Sequence, residues 1–359
     1  MRRLRIILAV VTLLTGLNCS KSDEAKKAEP PVPDPPATEE TSLRKALPFP
    51  FGAAVNINLL KTRVAYRDLV VREYNSLTPE NAMKASVIHP QQNTYNWADA
   101  DYLVDFAKQN NKRVHGHTLI WYKSLPSWIT EFQGDAAAWD NLFKTHIQTI
   151  VTHFKGKVAS WDVVNEAIAD DGTLRPCIWL EKIGPDYIAK AFQYAHEADP
   201  DALLFYNDYG HEYGPTKRGA ILDLINDLKN RHIPVHGIGL QMHTRYNMAD
   251  NNLANAINTV AQTGLKIHIA ELDIAINPDN LQALTFSPAL AEQQSQKYKF
   301  IVKTYNALPA NQKFGITTWN VGDADSWIPG TYNRPDWPLP FDGDYKKKPA
   351  YQGILDGVK

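Results

Sequence analysis

Cysteine is almost absent: only Cys19 and Cys177 occur in 359 residues. That excludes a fold stapled by disulfides, and two isolated cysteines cannot build a thiolate zinc site. Stability must come from a large packed core instead. No GxGxxG loop follows the first predicted strand, which argues against a dinucleotide-binding open sheet. No HExxH helix is present to hold a catalytic zinc. Charges nearly cancel, at a formal net of −1, and no basic stripe runs through the chain. Nothing therefore marks a nucleic-acid partner. No internal repeat of fixed period is visible.

What is present begins with an export signal. Arg2, Arg3 and Arg5 form a basic start, and Ile6 to Leu14 is an apolar run. Its length suits the core of a signal peptide and is too short to span a bilayer comfortably. Gly16-Leu17-Asn18-Cys19 then looks like a bacterial lipobox, although Asn18 is bulkier than the small residue usual there. A signal peptide over residues 1–18 and lipidation of Cys19 are expected. The exported chain would be held to the outer membrane of a Gram-negative bacterium, facing the periplasm or the exterior. Residues 19–42 are rich in Lys, Glu, Pro and Ala. They cannot bury enough apolar surface to offset their ordering entropy and read as a disordered tether. Its five prolines, all between Pro30 and Pro36, stiffen it towards an extended form.

From Leu43 to Lys359 the pattern is uniform and describes one domain. Strands are predicted at Phe51–Asn56, Glu73–Thr78, Arg113–Leu119, Ser160–Asn165, Leu203–Asn207, Gly237–Gln241, Lys266–Glu271 and Phe314–Trp319. Between them run helical periodicities such as Trp97–Gln109, Ala136–Phe154, Pro185–Glu197, Lys217–Asn230, Leu253–Thr263 and Ala289–Asn306. Eight β-then-α units in one domain predict an α/β fold, the (β/α)8 TIM barrel. Barrel active sites lie where the strands end. Polar and aromatic residues follow nearly every predicted strand, and two are carboxylates, Glu166 after strand four and Glu271 at the end of strand seven. Glycoside hydrolysis needs such a pair. One group protonates the departing oxygen and the other meets the positive charge developing at the anomeric carbon. In a retaining site they sit about 5–5.5 Å apart. Ionising one then disfavours ionising the other. Taken alone, either glutamate reads as a helix cap or a salt-bridge partner.

The flanking residues change that weighting. WDVVNEA (161–167), IAELDI (269–274), TPENAMK (78–84), GHTLIW (116–121), NDY (207–209), GLQMH (239–243), GITTWNV (315–321), DSW (325–327) and PLPFDGDYKKKPAY (338–351) occur in this order. The set resembles glycoside hydrolase family 10, the barrel endo-β-1,4-xylanases, over about Phe51 to Tyr351. The resemblance implies Glu166 as acid/base and Glu271 as nucleophile of a retaining reaction. It implies that Asn165 holds the 2-hydroxyl of the reacting sugar. His243 would bond Glu271 with Asp273 behind it, and Gln241 would orient Glu166. His117 and Lys84 would bind sugar hydroxyls at and beside the cleavage point, and Glu80 and Asn81 the next sugar on the non-reducing side. Trp121, Trp319 and Trp327 would wall the cleft, and Tyr209 would stack on the leaving-group side. The implied partner is xylan or a xylo-oligosaccharide, bound by a monomer without cofactor or nucleic acid and touching membrane only through its lipid.

His115 and His117 form an HxH pair facing one way on a strand, and with His243 they could be imagined as metal ligands. The resemblance gives His243 a place beside Glu271, so no metal is expected. Three positions depart from the family pattern. Tyr122-Lys123-Ser124 stands where His-Ser-Gln is usual, Gly210 replaces an Asn after NDY, and Ala324 a Lys. These bear on subsites rather than on reaction type. Two rival functions follow: a related barrel glycosidase on β-1,4-glucan or a mixed polymer, and a non-catalytic glycan-binding surface lipoprotein. Loss of a catalytic Glu would mark the latter, and both are retained.

Overall fold

The computed structural model describes residues 41–359. The expectations for residues 1–18, for Cys19 and for the tether up to residue 40 lie outside them. Thr41 and Ser42 were read as the end of that tether. They already touch the domain: the Tyr351 hydroxyl donates to the Thr41 carbonyl at 2.8 Å, and Ser42 is buried.

Nine strands form in the order β1 (Phe51–Val55), β2 (Ser76–Pro79), β3 (Arg113–Ile120), β4 (Ser160–Asn165), β5 (Leu203–Asp208), β6 (Gly237–Leu240), β7 (His243–Arg245), β8 (Lys266–Ala275) and β9 (Lys313–Thr318). Every pairing between them is parallel. β1 to β6 pair in sequence, β6 pairs with β8, β8 with β9, and β9 returns to β1. The ring is therefore closed, with eight staves. β7 resumes the line of β6 after Gln241 and Met242 and runs along the far half of β8. Closure leaves no free edge, and the staves are buried on both faces, which is why they read as near-continuous apolar runs. This is the (β/α)8 barrel predicted above.

Helices cover the outside at Ala98–Gln109, Ala136–His153, Tyr187–Ala198, Pro215–Asn230, Asp250–Ala261 and Pro288–Asn306. Local chemistry fixes several starts. Asp135 accepts from the Ala138 N–H at 2.8 Å and Ser287 from the Leu290 N–H, while Pro215 and Pro288 occupy first-turn positions. Inside the barrel the rings of His115, Phe205, His268 and Phe314 pack together, five pairs edge to face with centroids 4.8–6.1 Å apart and Phe205 tilted against Phe314 at 4.5 Å. They fill the channel, so the barrel is a packed core beneath the site.

Three elements differ from the sequence expectation: β7 is an additional strand, β8 runs past the predicted end at Glu271 to Ala275, and the second strand starts late. The strand predicted from Glu73 begins at Ser76, and Val64–Glu73 is a helix. Tyr66, Leu69, Val70 and Glu73 make its buried stripe, a spacing of three and four that is helical. Glu73 hides in that stripe because its carboxylate is satisfied. It accepts from the Leu43 N–H at 2.9 Å and the Tyr351 hydroxyl at 3.2 Å, and pairs with Arg72.

Gly116 shows how little slack the strand beneath the site has. A Cβ there would lie 2.2 Å from the Trp161 ring. Gly116→Ala is therefore expected to lower stability by about 1–3 kcal/mol through overpacking, read as a lower urea midpoint at unchanged slope. An unchanged midpoint would mean that Trp161 is free to move.

Candidate active site

The strand C-termini open into one cleft of about 970 Å³. Glu166 and Glu271 both line it. So do Asn165, Gln241, His243, Glu80, Asn81, Lys84, His117, Trp121, Tyr209, Trp319 and Trp327. Asp273 alone among the predicted residues sits behind the wall, bonded to His243. The barrel thus brings together residues from distant parts of the chain, Glu80 and Tyr332 being the outermost in sequence.

Glu166 follows β4 in a left-handed conformation, φ +59°. This is unusual for a side chain with a Cβ, and it needs fixed partners. The Glu166 N–H donates to the Asn207 carbonyl at 2.9 Å, and the Glu166 carbonyl accepts from Arg175 Nε at 2.8 Å. Its Oε1 accepts from Gln241 Nε2 at 3.0 Å and Asn165 Nδ2 at 3.3 Å.

Glu271 is nearly fully buried. Its Oε1 accepts from Asn207 Nδ2 at 2.7 Å, and its Oε2 lies 3.1 Å from His243 Nε2. His243 Nδ1 lies 2.8 Å from Asp273 Oδ2, which also accepts from Trp327 Nε1 at 2.8 Å. Burial alone would drive His243 neutral, but the carboxylates of Asp273 and Glu271 on either side raise its pKa well above the ordinary value. The imidazolium and its bond return the favour. Burial would raise the Glu271 pKa, but His243 and His117 hold it below the usual carboxylate range. Glu271 is therefore held as an anion.

The two carboxylates are bridged by amides. Asn207 Nδ2 donates to Asn165 Oδ1 at 3.0 Å as well as to Glu271, and Gln241 Nε2 approaches the same oxygen at 3.2 Å. Turning the Asn165 amide over would let it accept from Trp121 Nε1 at 3.3 Å. That orientation would set its NH₂ against the Asn207 and Gln241 nitrogens, which the carboxylates fix as donors. The oxygen-inward orientation is the consistent one.

On one side of this centre Glu80 accepts from Asn56 at 3.3 Å, and Lys84 Nζ donates to Asn81 at 3.0 Å. Lys84 is lodged over the Trp121 and Trp319 rings, at 5.2 and 5.7 Å. Burial lowers its pKa in spite of Glu271, Glu80 and Glu166 nearby. On the other side Tyr209 is clamped. Arg175 donates to its hydroxyl at 2.8 Å, and Lys217 Nζ sits 3.1 Å from the ring centre. Trp128 lies outside the cleft lining and donates its Nε1–H to the His89 carbonyl at 2.9 Å. The HxH pair is spent on one carboxylate: His115 and His117 both approach Asp162.

Sequence reasoning missed Asn207, although it opens the NDY motif, and Arg175, which braces Glu166 from nine residues on. The cleft also takes in Tyr122, Lys123, Tyr213 and Tyr332, the last two about half exposed on its rim.

A closed (β/α)8 barrel with two carboxylates facing one groove, from its fourth and seventh staves, defines a barrel glycoside hydrolase. Residues 41–357 match glycosyl hydrolase family 10, and the chain belongs to that family. It is 38% identical over 307 residues to endo-1,4-beta-xylanase B of Thermotoga neapolitana, covering 85% of this chain and 87% of that one. It is 37% identical to exoglucanase XynX of Acetivibrio thermocellus, over 87% of this chain but only 29% of that longer protein. Among solved structures, xylanase 10B of Thermotoga petrophila RKU-1 in complex with xylobiose superposes with a TM-score of 0.83 at 37% identity. The match covers 89% of this chain and 98% of that one.

The electrostatics give a direct test. Replacing the imidazolium by His243→Phe removes both the bond and the charge that depress the Glu271 pKa. The Glu271 titration, followed by ¹³C NMR of labelled carboxyls, is expected to move to higher pH. The stability that ionised Glu271 contributes exists above its ordinary titration range and is lost as pH falls through the depressed one. The variant should therefore lose its acid-side stability at a higher pH than wild type. A titration that stays in place would remove His243 from this role.

Proposed function

We propose that this protein is an exported, retaining endo-1,4-β-xylanase. The observation that carries the reading is the pair Glu166 and Glu271, joined through Asn165 and Asn207 in one open groove with Glu271 held as an anion. In the first step Glu166 gives its proton to the glycosidic oxygen and Glu271 attacks the anomeric carbon. The C–O bond to the leaving sugar breaks, and a glycosyl ester with Glu271 forms. In the second step Glu166 takes a proton from water, the oxygen attacks the same carbon, and the ester bond breaks. Two inversions leave the product with retained configuration.

The remaining residues serve these steps. Asn165 bonds the 2-hydroxyl of the reacting sugar, and Gln241 keeps the Glu166 carboxyl in place while its proton moves. His243 and Asp273 keep Glu271 charged and oriented. His117, Lys84, Glu80 and Asn81 supply donors and acceptors for sugar hydroxyls. Trp121, Trp319, Trp327 and Tyr209 offer apolar faces for the pyranose rings. No step calls for a cofactor. The matched xylanases of both Thermotoga species support xylan as the polymer. The exoglucanase relative keeps β-1,4-glucan as the alternative.

The N-terminal sequence supports an exported monomer whose Cys19 carries lipid, anchored to an outer membrane and reaching polymer through the proline-stiffened tether. Membrane contact would be confined to that lipid; among the described residues no helix is long and apolar enough to cross a bilayer.

Incubation with xylan, carboxymethylcellulose and mannan should give short oligomers from xylan, with a β-anomer first by NMR. Glu271→Ala should lose several orders of magnitude in turnover while remaining folded. Glucan cleavage without xylan cleavage would replace the substrate, a first-formed α-anomer would refute retention, and wild-type turnover in Glu271→Ala would end the assignment. Separately, Cys19→Ala is expected to move the protein from the membrane to the soluble fraction. Unchanged fractionation would sink the anchor.

A further inference from the structure

His115 is the half of the HxH pair that the site described above does not use. It lies on β3 one alternation below His117 and is 1% exposed. Its Nδ1 is 2.7 Å from Ser160 Oγ, and its Nε2 is 3.0 Å from Asp162 Oδ1, off the line of an ideal hydrogen bond. The other oxygen of Asp162 lies 2.9 Å from His117 Nδ1. One buried carboxylate is thus held between two imidazoles of the same strand. Burial opposes its charge, but His115 and His117 keep the Asp162 pKa far below the usual carboxylate range.

These contacts fix where the protons sit. Asp162 is an anion and can only accept. His117 must therefore carry hydrogen on Nδ1, and a neutral ring then has a bare Nε2 lone pair for the cleft that it lines. The His115 proton is placed by charge rather than by a bond, since its Nε2 faces Asp162 Oδ1 at 3.0 Å without hydrogen-bond geometry. With Ser160 donating to Nδ1, its proton lies on Nε2 towards Asp162; the other tautomer would oppose two lone pairs.

We propose that His115 is a positioning residue for the glycosidase reaction: through Asp162 it keeps His117 in the Nδ1–H form, with Nε2 free to accept from a sugar hydroxyl. The inference rests on the reading of His117 as a sugar-binding residue. Its physical content is charge sharing. While His115 takes part of the field of Asp162, His117 is one of two groups answering it. With His115 removed, the whole anion acts on His117 across a poorly screened interior. His117 then gains a second proton, and Nε2 turns from acceptor to donor.

Other groups packed there do not substitute for His115. His268 on β8 meets its ring edge-on at 4.8 Å, but burial and His115 push its pKa well below the ordinary value, and its Nε2 is bonded to Thr317 on β9. Phe205 on β5 and Phe314 on β9 are uncharged. Arg113, below on β3, lies on the Phe314 ring and donates to the Phe314 carbonyl. Glu271, above on β8, is balanced by His243.

The test uses ¹⁵N-histidine NMR of the substrate-free protein together with kinetics on a xylo-oligosaccharide. In wild type, His117 should show a protonated Nδ1 and a bare Nε2, and His115 a protonated Nε2. Any other tautomer overturns the proposal without need of a variant. In folded His115→Phe the His117 Nε2 signal should move towards the protonated form, and the acid limb of kcat/KM should move to higher pH. KM should rise about tenfold, the loss of one hydrogen bond to substrate, with kcat changed less. His115→Gln, which keeps a donor towards Asp162, should restore the His117 signature and most of KM. A His117 signal unmoved in His115→Phe, or a His115→Gln that behaves like it, refutes the role. Wild-type protein with the expected tautomers but no action on xylo-oligosaccharide would refute the proposed substrate instead.

Discussion

The Asn207 amide donates to Glu271 at 2.7 Å and to Asn165 at 3.0 Å, and Asn165 reaches Glu166 at 3.3 Å. Two carboxyl groups are kept in one groove by a bridge of neutral amides, and the surrounding structure follows from that requirement. An anion buried as deeply as Glu271 needs compensation. His243 supplies it, and His243 in turn needs Asp273 to hold its proton. Trp327 then spends its N–H on Asp273. The chain of partners runs from β5 through β4, β7 and β8 to the short helix Trp327–Tyr332 after β9, so none of these strands could move without disturbing the charge at the centre.

Barrel closure makes that chain possible. Glu271 is not the last residue of its strand, because β8 continues to Ala275 beside β7. The pairing His243↔Asp273 in that extension is what sets the imidazole between the two carboxylates. Likewise, Glu166 reaches the cleft only because its backbone turns left-handed just past β4. The Asn207 carbonyl and Arg175 satisfy its peptide groups there. The left-handed backbone at Glu166 and the buried charge at Glu271 are therefore each met by fixed partners, the Asn207 carbonyl and Arg175 for the first, the Asn207 amide and His243 for the second.

This explains which parts were legible in the sequence. The staves were, because burial on both faces leaves apolar runs of fixed length, and the carboxylates were, because each follows such a run. Asp273 was legible only through the family motif, and Asn207 was passed over inside NDY, since an amide bridging two strands leaves no local pattern. Arg175 braces Glu166 from a loop nine residues on, where arginine ordinarily reads as solvated. The helix Val64–Glu73 was hidden by its own interior charge: a buried Glu73 interrupts the apolar stripe, and only its partners Leu43 and Tyr351, distant in sequence, make it stable there. Pairwise satisfaction of buried polar groups is a tertiary property, and periodicity does not report it.

The departures from the family pattern can be argued from the same balance. Ser124 turns to Ser86, the two hydroxyls 2.6 Å apart, and so lies outside the cleft lining. Gly210 has φ +83°, and a Cβ there would meet the Lys217 stem at 3.4 Å. That stem occupies the space, and its ammonium lies against the Tyr209 ring, paired with Asp208 at 3.0 Å and Asp170 at 3.3 Å. Cation–ring attraction is strongest where water is excluded, and Lys217 is 5% exposed. The Tyr209 ring is thereby fixed from one face by a paired cation. These changes leave the amide bridge and both carboxylates as they are: Ser124 is turned away from the cleft, and Gly210 lies beside Tyr209 and Lys217 on its wall. None of these departing positions holds a side chain that answers the buried charge of Glu271, which falls to Asn207 and His243.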